Sequence, residues 1–140
     1  MKPLKYITRL LGLLLLAGAL QTGVAADGQG EYEGADEGEV NHLDLAALML
    51  RDGNFDRAIA TLDQVNPEEE GLDLERYYTL RGLAHLRRKE LELSRDALLH
   101  AADTEAPDAL VFIYLAQVNF QLEDYRQTLD ALDRAGDAVT

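Results

Sequence analysis

The chain is predicted to be all-α, three antiparallel helix hairpins stacked side by side, on three observations. A column pattern recurs at about 34 residues, the apolar residues fall at helical spacing, and no stretch alternates as a strand does. Aligned on the small residues Ala46, Gly82 and Ala116, 36 and then 34 apart, the neighbouring positions fall into register. Met49, His85 and Asn119 follow, then Phe55, Leu91 and Tyr125, then Ala58, Ser94 and Thr128, then Leu62, Leu98 and Leu132, then Val65, Ala101 and Ala135. A period in this range marks supersecondary units that are each too small to bury an apolar face alone.

Before the repeats, residues 1–26 have the order of a secretory signal peptide. Lys2, Lys5 and Arg9 precede the apolar run Leu10 to Leu20, and small and polar residues follow to Ala26. The competing reading is a membrane anchor, but this run falls short of the roughly 20 residues needed to cross a bilayer. No stable anchor is expected after cleavage. The expected address is export, to the periplasm or alternatively outside the cell, and no cysteine follows the run to carry a lipid. Residues 27–40 hold four glycines and six acidic residues without a basic partner and read as a flexible acidic linker.

The first pair begins at Asn41, a candidate N-cap with Asp44 three residues later, and runs through Leu45 to Leu50. Gly53-Asn54 breaks it. Asn54 is placed to cap a second helix bearing Phe55, Ala58, Ile59, Leu62 and Val65, which Asn66-Pro67 ends. The second pair is expected over about Asp73 to Arg88 and Glu90 to Asp103. The third starts at Pro107-Asp108, with proline at the first helical position, turns at Glu123-Asp124 and stops at Gly136. Asp124 and Gln127 form a capping-box-like pair.

These columns resemble the tetratricopeptide repeat (TPR) family. The match spans roughly residues 39 to 136, as repeats of about 39–72, 75–108 and 109–140. The first repeat carries it best, through Ala46, Met49, Gly53, Phe55, Ala58, Leu62 and Val65. Gly82, Leu91, Ser94, Leu98 and Ala101 fit in the second, and Ala116, Tyr125, Thr128, Leu132 and Ala135 in the third. The family's early tryptophan is absent, Lys89 and Glu123 replace its turn glycine, and Arg81 and Arg95 occupy columns that are usually apolar. The resemblance implies a TPR-like α-solenoid, a right-handed superhelix whose first helices line a concave face that holds partner proteins.

On that implied face, positions three before, one after and four after each small anchor give Leu43, Ala47 and Leu50, then Thr79, Leu83 and Leu86, then Ile113, Gln117 and Phe120. Each set lies on one helical stripe. Arg51 and Arg87 follow the ends of the stripes, with Arg76 at the opposite rim, and give a mostly apolar groove local positive charge. The family's acidic-tail binders carry lysine and asparagine where Leu43, Ala47, Thr79 and Leu83 stand, so the expected occupant is an apolar or amphipathic segment of another protein. The alternative is self-association through the same surfaces, with Leu129 and Leu132 near an uncovered end.

Other functions find less support in the residues. With 13 basic and 26 acidic residues the formal charge is −13, and removing the leader's three basic residues leaves −16. Such a chain is repelled by nucleic-acid phosphates. Without cysteine it has no disulfide and no thiol chemistry. Asp96, His100 and Asp103 fall at i, i+4 and i+7 and form a rival, metal-dependent reading. His85 sits in a large-residue core column, His42 near a helix start, and the only serine, Ser94, in a packing column. Neither a catalytic constellation nor a glycine-rich phosphate loop is visible, so no cofactor is expected and the chain reads as non-catalytic.

Overall fold

A computed structural model describes residues 40–140. The expected leader (1–26) and nearly all of the expected linker (27–40) lie outside the described residues. Among those described there are six α-helices and no strand: α1 (His42–Arg51), α2 (Phe55–Leu62), α3 (Leu74–Arg87), α4 (Leu91–Ala102), α5 (Ala109–Gln121) and α6 (Tyr125–Val139). None is long and apolar enough to cross a membrane.

Local chemistry sets where the helices begin. Asn41 Oδ1 accepts from the backbone N–H of Leu43 and Asp44 at 3.1 and 3.2 Å, satisfying amides that have no partner inside α1. Asp73, Asp108 and Asp124 cap α3, α5 and α6 in the same way. Asn54 differs from expectation: it occupies the N-cap of α2, but its side chain makes no capping bond. Pro107 precedes the α5 cap instead of occupying the first helical position.

Two helix ends also differ. α2 stops at Leu62, before Val65, because Gln64 and Val65 bond three residues back, to Thr61 and Leu62, and so tighten the last turn. α6 runs through Gly136 to Val139. The φ of Gly136 is not left-handed, so this glycine lacks the geometry of a helix stop.

The three hairpins share one turn. Residues 53, 89 and 123 each have positive φ, 79°, 65° and 61°. The following residue donates its N–H five residues back in every case: Asn54 to Met49 O at 2.8 Å, Glu90 to His85 O at 2.9 Å, and Asp124 to Asn119 O at 2.9 Å. Gly53, Lys89 and Glu123 donate three back. This paired arrangement is a Schellman motif, so Lys89 and Glu123 perform glycine's task at a steric cost. Met49, His85 and Asn119 thus form a column because each supplies the carbonyl that closes the turn.

The pairing within hairpins is antiparallel, since contacts converge on the turn as one residue number rises and the other falls. Gly82 meets Ser94 while Tyr78 meets His100, and Phe120 meets Tyr125 while Phe112 meets Arg134. Each helix packs on the next in sequence. The first helices α1, α3 and α5 also touch in succession, whereas α2, α4 and α6 do not touch one another.

Apolar clusters fill the joints. Leu43, Ala46, Leu62, Tyr77 and Leu80 join the first two hairpins. Leu86, Leu98, Leu115, Ala116, Val118 and Ala131 join the second and third, with Ala101, Ala102, Val111, Phe112 and Ala135 beside them. The arginines in the usually apolar columns act at the same joints. Arg81 reaches back to Asp63 at 2.7 Å, and Arg95 reaches forward to Asp124 at 3.7 Å. Burial lowers the Arg81 pKa, but the Asp63 hydrogen bond and the Tyr77 and Asp63 fields outweigh it, so the net direction is upward.

Candidate binding cleft

A cleft of about 310 Å³ opens where α3 and α5 lie side by side near the first interhelical turn. Leu83, Leu86 and Arg87 come from α3, Tyr114, Gln117 and Gln121 from α5, Phe55 from the start of α2 and Lys89 from the second turn. Helical spacing explains the set: 83, 86 and 87 share one side of α3, and 114, 117 and 121 one side of α5. Leu86 is buried, while Leu83, Phe55 and Tyr114 are half-buried, so an apolar surface is only partly shielded from water. Arg87, Lys89, Gln117 and Gln121 are exposed at its edge.

Two basic residues, Arg87 and Lys89, stand at the rim of the cleft. Neither Arg87 nor Lys89 has an ion-pair partner among the described residues, as is also true of Arg57, Arg126 and Arg134 elsewhere, while Arg51, Arg76, Arg81, Arg88 and Arg95 are engaged with carboxylates. Two cationic groups and two neutral amides therefore surround apolar carbon. This arrangement suits an apolar anchor whose own polar edge accepts hydrogen bonds or carries negative charge.

Of the residues expected to line a groove, the structure brings Leu83, Arg87 and Gln117 together here, with Leu86 forming the cleft floor as a core residue that is only 6% exposed. Leu43 departs from that expectation: it is 6% exposed and packs with Leu62, Tyr77 and Leu80. It lies in the first turn of α1, against the joint with α3, and is core. Ala47 and Leu50 pack against the same cluster, and Arg51 pairs with its neighbour Asp52 at 3.5 Å. Thr79 is half-buried, and its Oγ1 has no partner among the described residues. Ile113 and Phe120 are exposed outside the cleft lining, with Phe120 set against Tyr125 at 5.8 Å between ring centroids. Arg76 is tied to Asp44 at 2.6 Å.

The sequence reading missed Phe55, Tyr114, Lys89 and Gln121. Phe55 stands in a packing column, and in the structure it also lines the cleft with Leu83 and Leu86 of α3. Lys89 was visible as a missing glycine, but its left-handed backbone is what sets it at the rim.

The rival metal set does not assemble. No group of three or more histidine, aspartate or glutamate side chains among the described residues is placed to hold a metal ion. His100 and Asp103 line a wider hollow of about 560 Å³ that Asp96 does not reach, and the His100 ring stands edge-on to Tyr78 at 4.9 Å. His85 is the buried histidine of its column, with Nδ1 2.7 Å from Glu90 Oε2. No protein-family model matches the chain, and no curated protein or solved structure is similar enough to match it.

Proposed function

We propose that this chain is an exported, non-catalytic interaction module built from three TPR-like repeats. Its right-handed superhelix presents the first helix of each pair on a concave side, and an apolar or amphipathic segment of a partner protein docks there. The observation that carries the reading is the cleft of Leu83, Leu86 and Tyr114 edged by two cations that have no ion-pair partner among the described residues. Support for the curvature comes from the contact pattern: α1, α3 and α5 touch in succession while α2, α4 and α6 do not, as on the inner and outer sides of a bent stack.

Docking is driven by removing apolar surface from water, where complete burial of one leucine contributes about 1.5 to 3 kcal/mol. Arg87 and Lys89 orient the segment by its acidic or carboxylate-bearing edge. Work as an adaptor or assembly factor in a bacterial envelope fits the leader-like residues 1–26. Crosslinking in the native envelope, comparing wild type with Leu83→Glu and Arg87→Glu, tests the proposal. Partners lost in both variants support it, and partners retained in both refute it.

A further inference from the structure

We infer that the last hairpin is a self-association surface, through which two copies of this chain join by packing α6 antiparallel on α6 about a two-fold axis near Leu129. The argument starts from columns repeated in all three hairpins. Leu50, Leu86 and Phe120 occupy one, Leu62, Leu98 and Leu132 another, and Phe55, Leu91 and Tyr125 a third. In the first two hairpins these positions are buried or half-buried, because the hairpin that follows covers them. In the last, Phe120, Tyr125 and Leu132 are 61, 57 and 49% exposed, and Leu129 beside them is 68% exposed. Among the described residues nothing covers this face, which carries the side chains of a joint without the joint.

Charge identifies the occupant. Tyr125, Leu129 and Leu132 form a stripe along α6, and Arg126 and Asp133 flank it on one side, three residues before and four after Leu129. In an antiparallel pair centred on Leu129, the same flanks of the two helices meet. Arg126 of one copy then faces Asp133 of the other, twice over by symmetry. Neither has an ion-pair partner within the chain among the described residues. The surface is therefore complementary to itself in both shape of stripe and sign of charge.

Stacking on the opposite end of another copy fits less well. The helix positions that face a preceding hairpin are Tyr77, Leu80 and Ala84 in α3, and Val111, Tyr114 and Val118 in α5. At the start of the stack they are Asn41, Asp44 and Leu48, so head-to-tail joining would bury a cap and a carboxylate already bonded to Arg76. It would also leave the assembly open-ended.

The proposal is independent of the cleft and is tested by sedimentation equilibrium across the micromolar range. Protein is expressed from the full chain and purified as the host processes it. A monomer–dimer equilibrium is expected, abolished by Leu129→Glu with the helical circular dichroism and thermal midpoint kept, since this side chain is exposed in the single chain. Arg126→Asp and Asp133→Arg should each weaken the dimer by about tenfold, and the double exchange should restore it. A wild-type monomer throughout, a dimer indifferent to Leu129→Glu, a double exchange that fails to restore, or a monomer that binds a foreign amphipathic helix on this face would each overturn it.

Discussion

Ser94 Oγ lies 2.7 Å from the carbonyl oxygen of Gly82, a buried hydrogen bond between side chain and backbone that pins the two helices of the middle hairpin at their closest approach. The contact exists because residue 82 has no side chain: a Cβ there would come within 2.6 Å of Leu98 Cγ and 2.8 Å of its Cδ2. Leu98 is fully buried and has nowhere to go.

Gly82→Ala therefore tests the crossing. Alanine gains about 1 kcal/mol in helix propensity, but forcing a methyl into a filled core costs about 1 to 3 kcal/mol. The clash prevails, and thermal unfolding should move down by roughly 4 to 8 °C per net kcal/mol for a domain of this size. In the Gly82→Ala background, Leu98→Val should cost less than it does in wild type. Equal costs in both backgrounds would place the strain elsewhere.

The turns predict gains. Glu123 holds φ at 61°, which costs a side-chain-bearing residue about 1 kcal/mol. Glu123→Gly should raise stability by about 0.5 to 1 kcal/mol in urea unfolding, while Gly53→Ala should lower it by about 1 kcal/mol, because φ there is 79°. If both changes leave the midpoint fixed, the left-handed turns are not what closes the hairpins.

Arg81 predicts a loss on removal. Its guanidinium joins two hairpins through Asp63 and lies over the Tyr77 ring, 5.8 Å from the centroid, so Arg81→Ala should destabilise by about 1 kcal/mol. The raised pKa gives the pH dependence. The stabilisation is present below the unfolded-state value and is lost only as pH rises through the still higher folded one, so Arg81 stays charged across the physiological range. A wild-type midpoint that falls between neutral and mildly alkaline pH, but not in Arg81→Ala, would contradict this.

Asn119 is 3% exposed and its Oδ1 has no hydrogen-bond partner among the described residues, although the equivalent Met49 and His85 bond to Thr61 and Glu90. Leaving a polar atom unpaired in the interior costs about 1 to 3 kcal/mol. Asn119→Met should accordingly raise the thermal midpoint, as calorimetry can measure. A lowered midpoint would show that the amide is satisfied.

Much of the helix order was legible in the sequence because the same few constraints recur. Small residues at 46, 82 and 116 and left-handed turns at 53, 89 and 123 punctuate the chain at nearly the same period. The cleft was half legible. Leu83, Leu86, Arg87 and Gln117 follow from helical spacing, but Leu43 shares that spacing and is core, since whether a stripe is covered depends on the neighbouring helix. Lys89 shows the same limit from the other side, because its place at the rim follows from a backbone angle that its side chain does not favour. The arginines at 81 and 95, which occupy columns that are usually apolar, are ties between hairpins.

The claim that a partner segment lies between α3 and α5 is tested most directly by a photocrosslinking residue at Gln117, compared with one at the exposed Leu99 on α4, in the cells that make the protein. The account predicts a discrete protein adduct from position 117 that disappears with Leu83→Glu, and none from position 99. The same adduct from both positions, or one at 117 unchanged by Leu83→Glu, would contradict it.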